Sequence, residues 1–436
     1  MPTILRRAVN PGFELNGREH EYYLLIALTF LQGFFWFMVV PLVPLFAADM
    51  GAHAFLVGII TSVTSVVFII TSVPSGALSD MLGSRALFRW TYLLGIIGAL
   101  LYVVTPTAAL LFVPQLFYAV SNTLFWPAWA AHLVSLVPGP QQAKMMGYAS
   151  AVSGLGAILG PLVGGYLVDL AGFRAMFLLY AAFSVAGYFL ASALPARRNG
   201  LVGGEGGSAL AAFKRLGPSL AEAFRLLERE PILTAFWTTF FAFLAWNMAD
   251  IFMPLYLKEA GLGVASIGIL MTARNTTLTV SRFAMGPLVR RMGLRALLIW
   301  FVLISAVAGL LIPLAGGATG LALGLPVMLL LSLLMGLGVG VNPPINKALM
   351  AEGARPSERA TAMGLSEVAG SGGRLVSSLA FGAVAQGFGN TASIVAGNLL
   401  VVVAYVFGAR RALGRPSRRK AGAGAAGATG TPASSA

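Results

Sequence analysis

Asp250 and Glu367 are the only two of the fifteen acids in this 436-residue chain that fall well inside long apolar runs, away from their ends, and Arg274, Arg282, Lys347 and Arg374 fall within such runs with them. An ionisable side chain inside a bilayer costs about 3 kcal/mol on insertion scales unless it meets water or a partner, so each marks a candidate functional position. At 1.5 Å of rise per residue, Asp250 is expected roughly 10 Å below the outer surface and Arg274 about 15 Å below it. Arg374 is expected some 20 Å up from the inner end of its run, and Glu367 only about 10 Å in. A bridge from Asp250 to either arginine fits this arithmetic. Two chemistries are open to it. Asp250 can pass between a proton and an arginine or solute, coupling a proton gradient to movement, or the ions can be a fixed pair that holds helices together. Glu367 fits a solvated gate or cap as well as a coupling acid. Lys347 and Arg282 fit snorkelling near helix ends, and Arg274 with Arg374 also fit the wall of a cavity for an organic anion.

Uncharged polar and aromatic residues fall on helical faces at similar depth. Gln32 and Trp36 are four apart, Asn122, Trp126 and Trp129 follow at four and seven, and Trp246, Asn247 and Asp250 form a cluster. Such spacing puts each set on one face. Gln32, Trp36, Asn122, Trp126, Trp246 and Asn247 are expected to line a cavity, since amides at mid-membrane otherwise lack water. Plain helix packing with an interfacial aromatic belt is the competing reading, and is expected for Trp129. In "NPPINK", Asn342 to Lys347, adjacent prolines free backbone carbonyls and bend the helix, as a gating hinge or a static kink.

The elements that must position these residues are set by composition. The chain is 58% hydrophobic and 10% charged, against about 25% charged in an ordinary soluble domain. Runs of about 20 apolar residues cross a hydrocarbon core of roughly 30 Å, and twelve occur: 22–47, 54–78, 87–105, 108–136, 145–170, 174–194, 231–257, 264–289, 296–315, 322–350, 360–387 and 391–409. With both termini inside, the inner segments hold 23 of the 29 lysines and arginines and the outer loops only Arg174 and Lys258. That is the asymmetry of cytoplasmic loops, so the net charge of +14 is mostly topology. The cations are scattered over separate loops without aromatic interleaving, which sets nucleic acid aside as a partner. Some twenty polar-mixed residues precede the first run, so it is expected to be a membrane anchor and not a cleaved leader. His20, His53 and His132 lie near membrane ends and the chain has no cysteine. No nucleophile, base and orienting group stand at suitable spacing and no phosphate-binding loop occurs, so neither an enzyme nor an ATP-driven pump is expected, nor any metal or cofactor.

The expected organisation is an N-terminal segment 1–21, a six-helix bundle 22–194, a linker 195–230, a second bundle 231–411 and a disordered tail 412–436. The two bundles read as copies of one unit. At an offset of 210, Trp36 matches Trp246, Pro44 matches Pro254, Gly51 matches Gly261, Gly58 matches Gly268, Gly76 matches Gly286, Gly83 matches Gly293 and Arg85 matches Arg295. At 216 or 217, Pro127 pairs with Pro343, Gly147 with Gly364 and Gly165 with Gly382. The fold class is all-α integral membrane, twelve helices in two pseudo-symmetric bundles.

With these repeats in place, "GALSDMLGSRALFRW" from Gly76 resembles the signature of the major facilitator superfamily between helices 2 and 3, with Gly76, Asp80, Gly83 and Arg85 in place and Met81 where the family usually has a cation. Asp80 can cap a neighbouring helix and pair with arginine as a conformational latch. The second copy has Arg290 in place of the aspartate, so the latch is expected only in the first half. "GAILGPLVGG" resembles an element associated with proton-linked exporters of that superfamily, through Gly156, Gly160, Pro161, Gly164 and Gly165. The same glycines fit a packing seam. The loops "GPQQAKMMGYAS" and "RPSERATAMGLS" resemble the family's link between helices 4 and 5 and its repeat. The resemblance implies a secondary transporter working by alternating access, functional as a monomer in the bacterial inner membrane with both termini cytoplasmic, whose partners are lipid, protons and a small molecule. Proton-linked efflux of amphipathic compounds is the expected mode, with import or exchange of an organic anion as the alternative and a non-transporting receptor as a third class. Many proton-coupled exporters of the family carry an acid in helix 1 or 4; this chain has none at membrane depth there.

Overall fold

The computed structural model describes residues 12–195, 225–318, 320–355 and 358–413. The expected N-terminal segment, linker and tail fall largely outside the described residues. Helices and no strands occur among those described. They are α1 (Glu19–Asp49), α2 (Ala54–Leu82), α3 (Ser84–Val104) and, after a 3-10 turn at Ala108–Leu111, α4 (Phe112–Ser135). The helical stretch Gly139–Ala193 breaks at Gly172, whose φ of 80° leaves the helix, giving α5 (139–171) and α6 (173–193). The second half holds α7 (Glu230–Glu259), α8 (Val264–Met292), α9 (Leu294–Ala318) and α10 (Gly320–Gly353). A second long stretch, Arg359–Leu413, breaks at Gly389 into α11 (359–388) and α12 (390–413). Length and hydropathy mark nine candidate membrane spans among the described residues, the two kinked stretches counting once each. α8, which carries Arg274, Arg282, Arg290 and Arg291, is more polar and is not among the nine. Phe189, Phe283 and Trp300 are exposed large apolar side chains among many on the helices' outer faces, a surface suited to acyl chains and not to water.

The backbone repeats as the sequence does. Gly51 and Gly261 have φ of 84° and 89°, Gly83 and Gly293 both 78°, and Gly172 and Gly389 80° and 85°. Each stands where one helix gives way to the next in a left-handed turn that only glycine adopts without strain. Within the first half α5 packs on α1 along the predicted seam. A Cβ on Gly156 would stand 2.5 Å from the Phe34 amide nitrogen, and one on Gly160 2.5 Å from the Phe34 carbonyl. Within the second half Gly373, which is Gly156 displaced by 217, packs on α7, where a Cβ would stand 3.2 Å from the Leu244 nitrogen. The helix 11 segment lacks the full glycine pattern and still makes the equivalent seam.

Between the halves α2 crosses α11, α5 crosses α8 and α1 packs on α7. Both crossings put glycine on glycine: a Cβ on Gly58 would stand 3.4 Å from the Gly382 Cα, and one on Gly268 3.4 Å from the Gly165 Cα. These are the residues that the repeat pairs, Gly58 with Gly268 and Gly165 with Gly382, exchanged by the pseudo-twofold. Both crossings lie within a few turns of the predicted outer surface.

Replacing Gly268 with leucine is expected to cost the closed outer side roughly 1–3 kcal/mol through overpacking, a shift of about 5- to 150-fold toward the opposite state. The chain has no cysteine of its own, so a single Thr61→Cys, one turn below Gly58, reports the change. Labelling by an impermeant thiol reagent from the outer side should rise in the Gly268→Leu background; an unchanged rate means the crossing is not a seal.

Candidate functional site: a shared cavity beside a buried ion pair

A cavity of about 80 Å³ lies between the halves below the crossings, room for several water molecules. Trp36 of α1, Thr61, Thr64 and Ser65 of α2 and Gln115 of α4 line it from the first half. Phe243, Trp246, Asn247 and Asp250 of α7 and Arg374 of α11 line it from the second. Trp36, Trp246, Asn247, Asp250 and Arg374, five of the residues singled out in the sequence, thus lie around one cavity. The α2 and α4 contribution was missed because serine and threonine are unremarkable in a membrane helix. Thr61, Thr64, Ser65 and Phe68 nevertheless repeat at three, four and seven, the one-face signature. Gln115 is held by its neighbours: its Nε2 donates to Thr64 Oγ1 at 2.7 Å, and Tyr102 donates to its Oε1.

Asp250 accepts a hydrogen bond from Arg274 Nη2 of α8, and the two form a buried ion pair, the residues 7% and 2% exposed. Arg274 Nε and Nη1 are also buried and meet no acceptor among the described residues. Arg274 is therefore the counter-ion behind the cavity wall and not a lining residue, which corrects its expected place. Asp250 reaches the cavity; the guanidinium that neutralises it does not.

Arg374 has a different environment. Its guanidinium carbon lies 4.9 Å from the Phe243 ring centre and 5.5 Å from that of Phe68, so aromatic faces from both halves flank it. Its Nη2 donates to Ser371 Oγ at 3.0 Å, and it forms no ion pair among the described residues. Asn247 Nδ2 donates to the Arg374 carbonyl at 3.0 Å and to Ser378 Oγ at 2.8 Å, fixing α11 against α7.

Other expected positions lie elsewhere. Gln32 Nε2 donates to Asn122 Oδ1 at 2.6 Å and Asn122 Nδ2 to the Tyr118 carbonyl at 2.8 Å, both residues buried inside the first half. These amides satisfy each other, so neither needs the cavity. Trp126 packs edge-on to Phe125 and Trp129, away from the cavity lining. Trp129 is buried and donates to Thr29 Oγ1 at 2.8 Å, so it is no part of a surface belt. Glu367 pairs with Lys347 at 3.3 Å with both side chains 53% exposed, which makes it a solvated partner of a lysine whose ammonium also reaches solvent. Gly83 makes its turn as expected, and Arg85 donates to the Ser192 carbonyl at 2.6 Å within the first half. The Asp80 and Gly76 part of the latch lies outside the residues whose side chains are described. The "NPPINK" prolines stay inside α10, where Asn342 and Asn346 tie the bend to its neighbours. Asn342 donates to the Tyr405 hydroxyl at 3.0 Å, Asn346 donates to Asn342 Oδ1 at 2.7 Å, and Thr238 donates to Asn346 Oδ1 at 2.8 Å. One nucleophile-like cluster that the sequence did not reveal joins Ser84 Oγ to His132 Nδ1 at 2.6 Å, with Glu21 3.7 Å from His132 Nε2. Ser84 and His132 are each 1% exposed, so this hydroxyl does not meet a solute.

Polar contacts between the halves gather at the middle and the predicted outer end. Asp169 of α5 accepts from the first amides of α8, Val264 at 3.1 Å and Ala265 at 2.8 Å, the arrangement in which a carboxylate meets a helix N-terminus. Lys258 pairs with Asp49 at 3.1 Å. Deeper, Thr272 and Asn275 each donate at 2.9 Å to the Ile158 and Ala157 carbonyls. Among the described residues at the inner end the ion pairs stay within a half, Arg18 with Glu21 in the first and Arg229 with Glu358 in the second.

The sequence model described as Major Facilitator Superfamily matches residues 25–376 and 235–435. The chain is similar to the quinolone resistance protein NorA of Staphylococcus aureus, 25% identical over 132 residues, which are 30% of this chain and 34% of NorA. It is also similar to the multi-drug resistance efflux pump PmrA of Streptococcus pneumoniae, 28% identical over 166 residues, 36% of this chain and 40% of PmrA. The chain thus spans well under half the length of either relative. Among solved structures, the nucleoside transporter NupG superposes with a TM-score of 0.72 at 15% identity, covering 88% of this chain and 97% of that one. A mutant of the peptide transporter POT in complex with sulfate gives 0.73 at 13%, covering 93% and 98%. At such identities the likeness is one of fold.

Removing one member of the buried pair should be worse than removing both. Asp250→Ala is expected to cost about 3–5 kcal/mol by leaving Arg274 buried and unpaired, with most of that recovered in Asp250→Asn/Arg274→Gln; additive losses in detergent unfolding would mean the two do not interact. A second prediction concerns the inner end, where the Arg229 guanidinium and the Arg355 amide hold the Glu358 carboxyl at about 2, below its ordinary 4.5. A carboxyl so depressed gives stability that is complete above its ordinary value and disappears as pH falls through the lower one. Wild type and Glu358→Gln should therefore converge in thermal stability between about pH 5 and 2, while their transport shows the same pH dependence near neutrality.

Proposed function

The chain belongs to the Major Facilitator Superfamily, and from that premise we propose that it is a proton-linked exporter of small amphipathic molecules that works by alternating access. It is an integral membrane transporter; efflux and proton coupling are the finer reading. The observation that carries this reading is the buried Asp250–Arg274 pair at the wall of a cavity that both halves line. A proton and a guanidinium compete for one carboxylate there, and a change of one charge in so apolar a place is worth far more than in water. Protonation frees Arg274 from its partner, and Arg274 sits on α8, the helix that crosses to α5 of the other half. Proton occupancy at Asp250 thereby bears on how the halves meet. The direction of transport is supported by the relatives, named for quinolone resistance and multi-drug efflux, and by the α5 glycine element. The crossings and the Asp169 cap join the halves toward the predicted outer end, which supports a solute path toward the inner side. We assign the protein to the bacterial inner membrane with both termini cytoplasmic, acting as a monomer with protons and a small solute as its partners.

Proteoliposomes with an imposed pH gradient and a panel of lipophilic cations, neutral drugs and organic anions test this. Uphill movement of a solute should occur only when the proton gradient runs the opposite way. Asp250→Asn should lower the gradient-driven rate at least about tenfold, equivalent to roughly 1.4 kcal/mol. Normal transport by that variant with an unchanged pH dependence would overturn the coupling assignment.

A further inference from the structure

We propose that Arg374 is the solute's anion-binding residue, and that the cavity selects aromatic solutes carrying one carboxylate. The inference rests on the transporter reading above and adds the substrate class to it. The first support is the balance of charge. Asp250 is neutralised by Arg274 behind it, whereas Arg374 lines the same cavity without an ion pair among the described residues. Asp250 and Glu367 both attract Arg374, but the first is bonded to Arg274 and the second to Lys347, so these five groups leave one positive charge in excess at a depth where an unpaired ion is costly. A monocation brought there adds to that cost, and a monoanion removes it.

The second support is the fork itself. Of the five N–H donors of a guanidinium, Arg374 commits one, to Ser371. None of its nitrogens is among the buried donors lacking a partner, so the remaining edge has access to open space and not to a wall of protein. A planar fork of donors matches the two oxygens of a carboxylate. Its own position is held by Asn247, which binds the Arg374 backbone and Ser378.

The third support is the ring of aromatics. Phe243 stacks on Trp246 at 5.4 Å, and Phe68 stands edge-on to Trp36 at 5.9 Å. One pair comes from each half, and Arg374 lies between Phe68 and Phe243. The contact with Phe68 spans the halves. Parting α2 from α11 withdraws that ring and leaves a guanidinium face that a solute's own ring can take. The solute thereby replaces a contact made by the closed protein, so the same residue that binds it also senses the state of the halves.

Binding to the purified full chain, followed through tryptophan fluorescence with no pH gradient, tests the proposal with three probes of one shape: 1-naphthoate, its methyl ester and 1-naphthylmethylammonium. The acid should bind at least about tenfold more tightly than the ester, and the ammonium most weakly. Arg374→Gln should erase the preference for acid over ester while leaving ester binding in place, and Arg374→Lys, which keeps the charge, should retain part of it. Equal binding of acid and ester by wild type, tighter binding of the ammonium, no saturable binding of the acid, or an unchanged preference in Arg374→Gln overturns the assignment. The wild-type comparison stands even where a variant fails to fold. If acid selectivity holds while proteoliposomes show no gradient-driven transport, the coupling reading fails and the substrate class stands; the reverse result separates them the other way.

Discussion

The close approach of glycine to glycine where α2 meets α11 and α5 meets α8 is the constraint on which the rest of the molecule depends. Two helices from different halves come together at these points with no side chain between them. In a bilayer there is no hydrophobic force to hold helices together, so association rests on such close packing and on interhelical hydrogen bonds. The crossings bring α7 and α1 near enough to share a cavity and bring α8 near enough for Thr272 and Asn275 to reach α5 carbonyls. A seam without interlocked side chains also has little to disengage when the halves part.

The cavity beneath gains its chemistry from an imbalance. Had both arginines found acids, the wall would be neutral and the pairs structural; had neither, the cost of two bare cations in the bilayer would fall on the fold. The chain pairs one and lets aromatic faces hold the other. Cation–π contacts are weaker than an ion pair and do not cancel the charge, so Arg374 remains available to a counter-ion. Arg274 is bonded to one carboxylate oxygen and has two nitrogens that meet no acceptor among the described residues.

Much of the fold was legible because it follows from period, spacing and glycine placement. The repeat offsets named Gly51, Gly83, Gly261 and Gly293, which carry positive φ, and Gly58, Gly165, Gly268 and Gly382, which make the crossings, since both roles exclude a side chain; Gly172 and Gly389 were not among the pairs read from the sequence. The depth arithmetic that allowed Asp250 a partner on another helix held because helical rise is fixed, and it left open which arginine that would be, since rotation about a helix axis is set by packing that spacing does not contain. The same limit explains Gln32 and Asn122. Their type and depth suggested a wet wall, but two amides that face each other need no water. Thr61, Thr64 and Ser65 show the converse, a true cavity stripe hidden by ordinary composition.

The pseudo-twofold relates the two crossings but the sequence does not load them equally. On the α5 side Asp169 caps α8 with both carboxylate oxygens. Its counterpart at an offset of 217 is Gln386, and α2, the counterpart of α8, has its first turn capped from within its own half, by His53 Nδ1 accepting from the Leu56 amide at 3.2 Å. A charged cap at a helix N-terminus adds what a glycine contact cannot, so the α2–α11 crossing is the weaker of the two. It is also the one whose helices carry Phe68 and Arg374. The half-to-half contact least secured by charge is therefore the contact that a bound solute can replace, which places the solute's influence at the α2–α11 crossing and leaves the proton's at α8 and its ion pair.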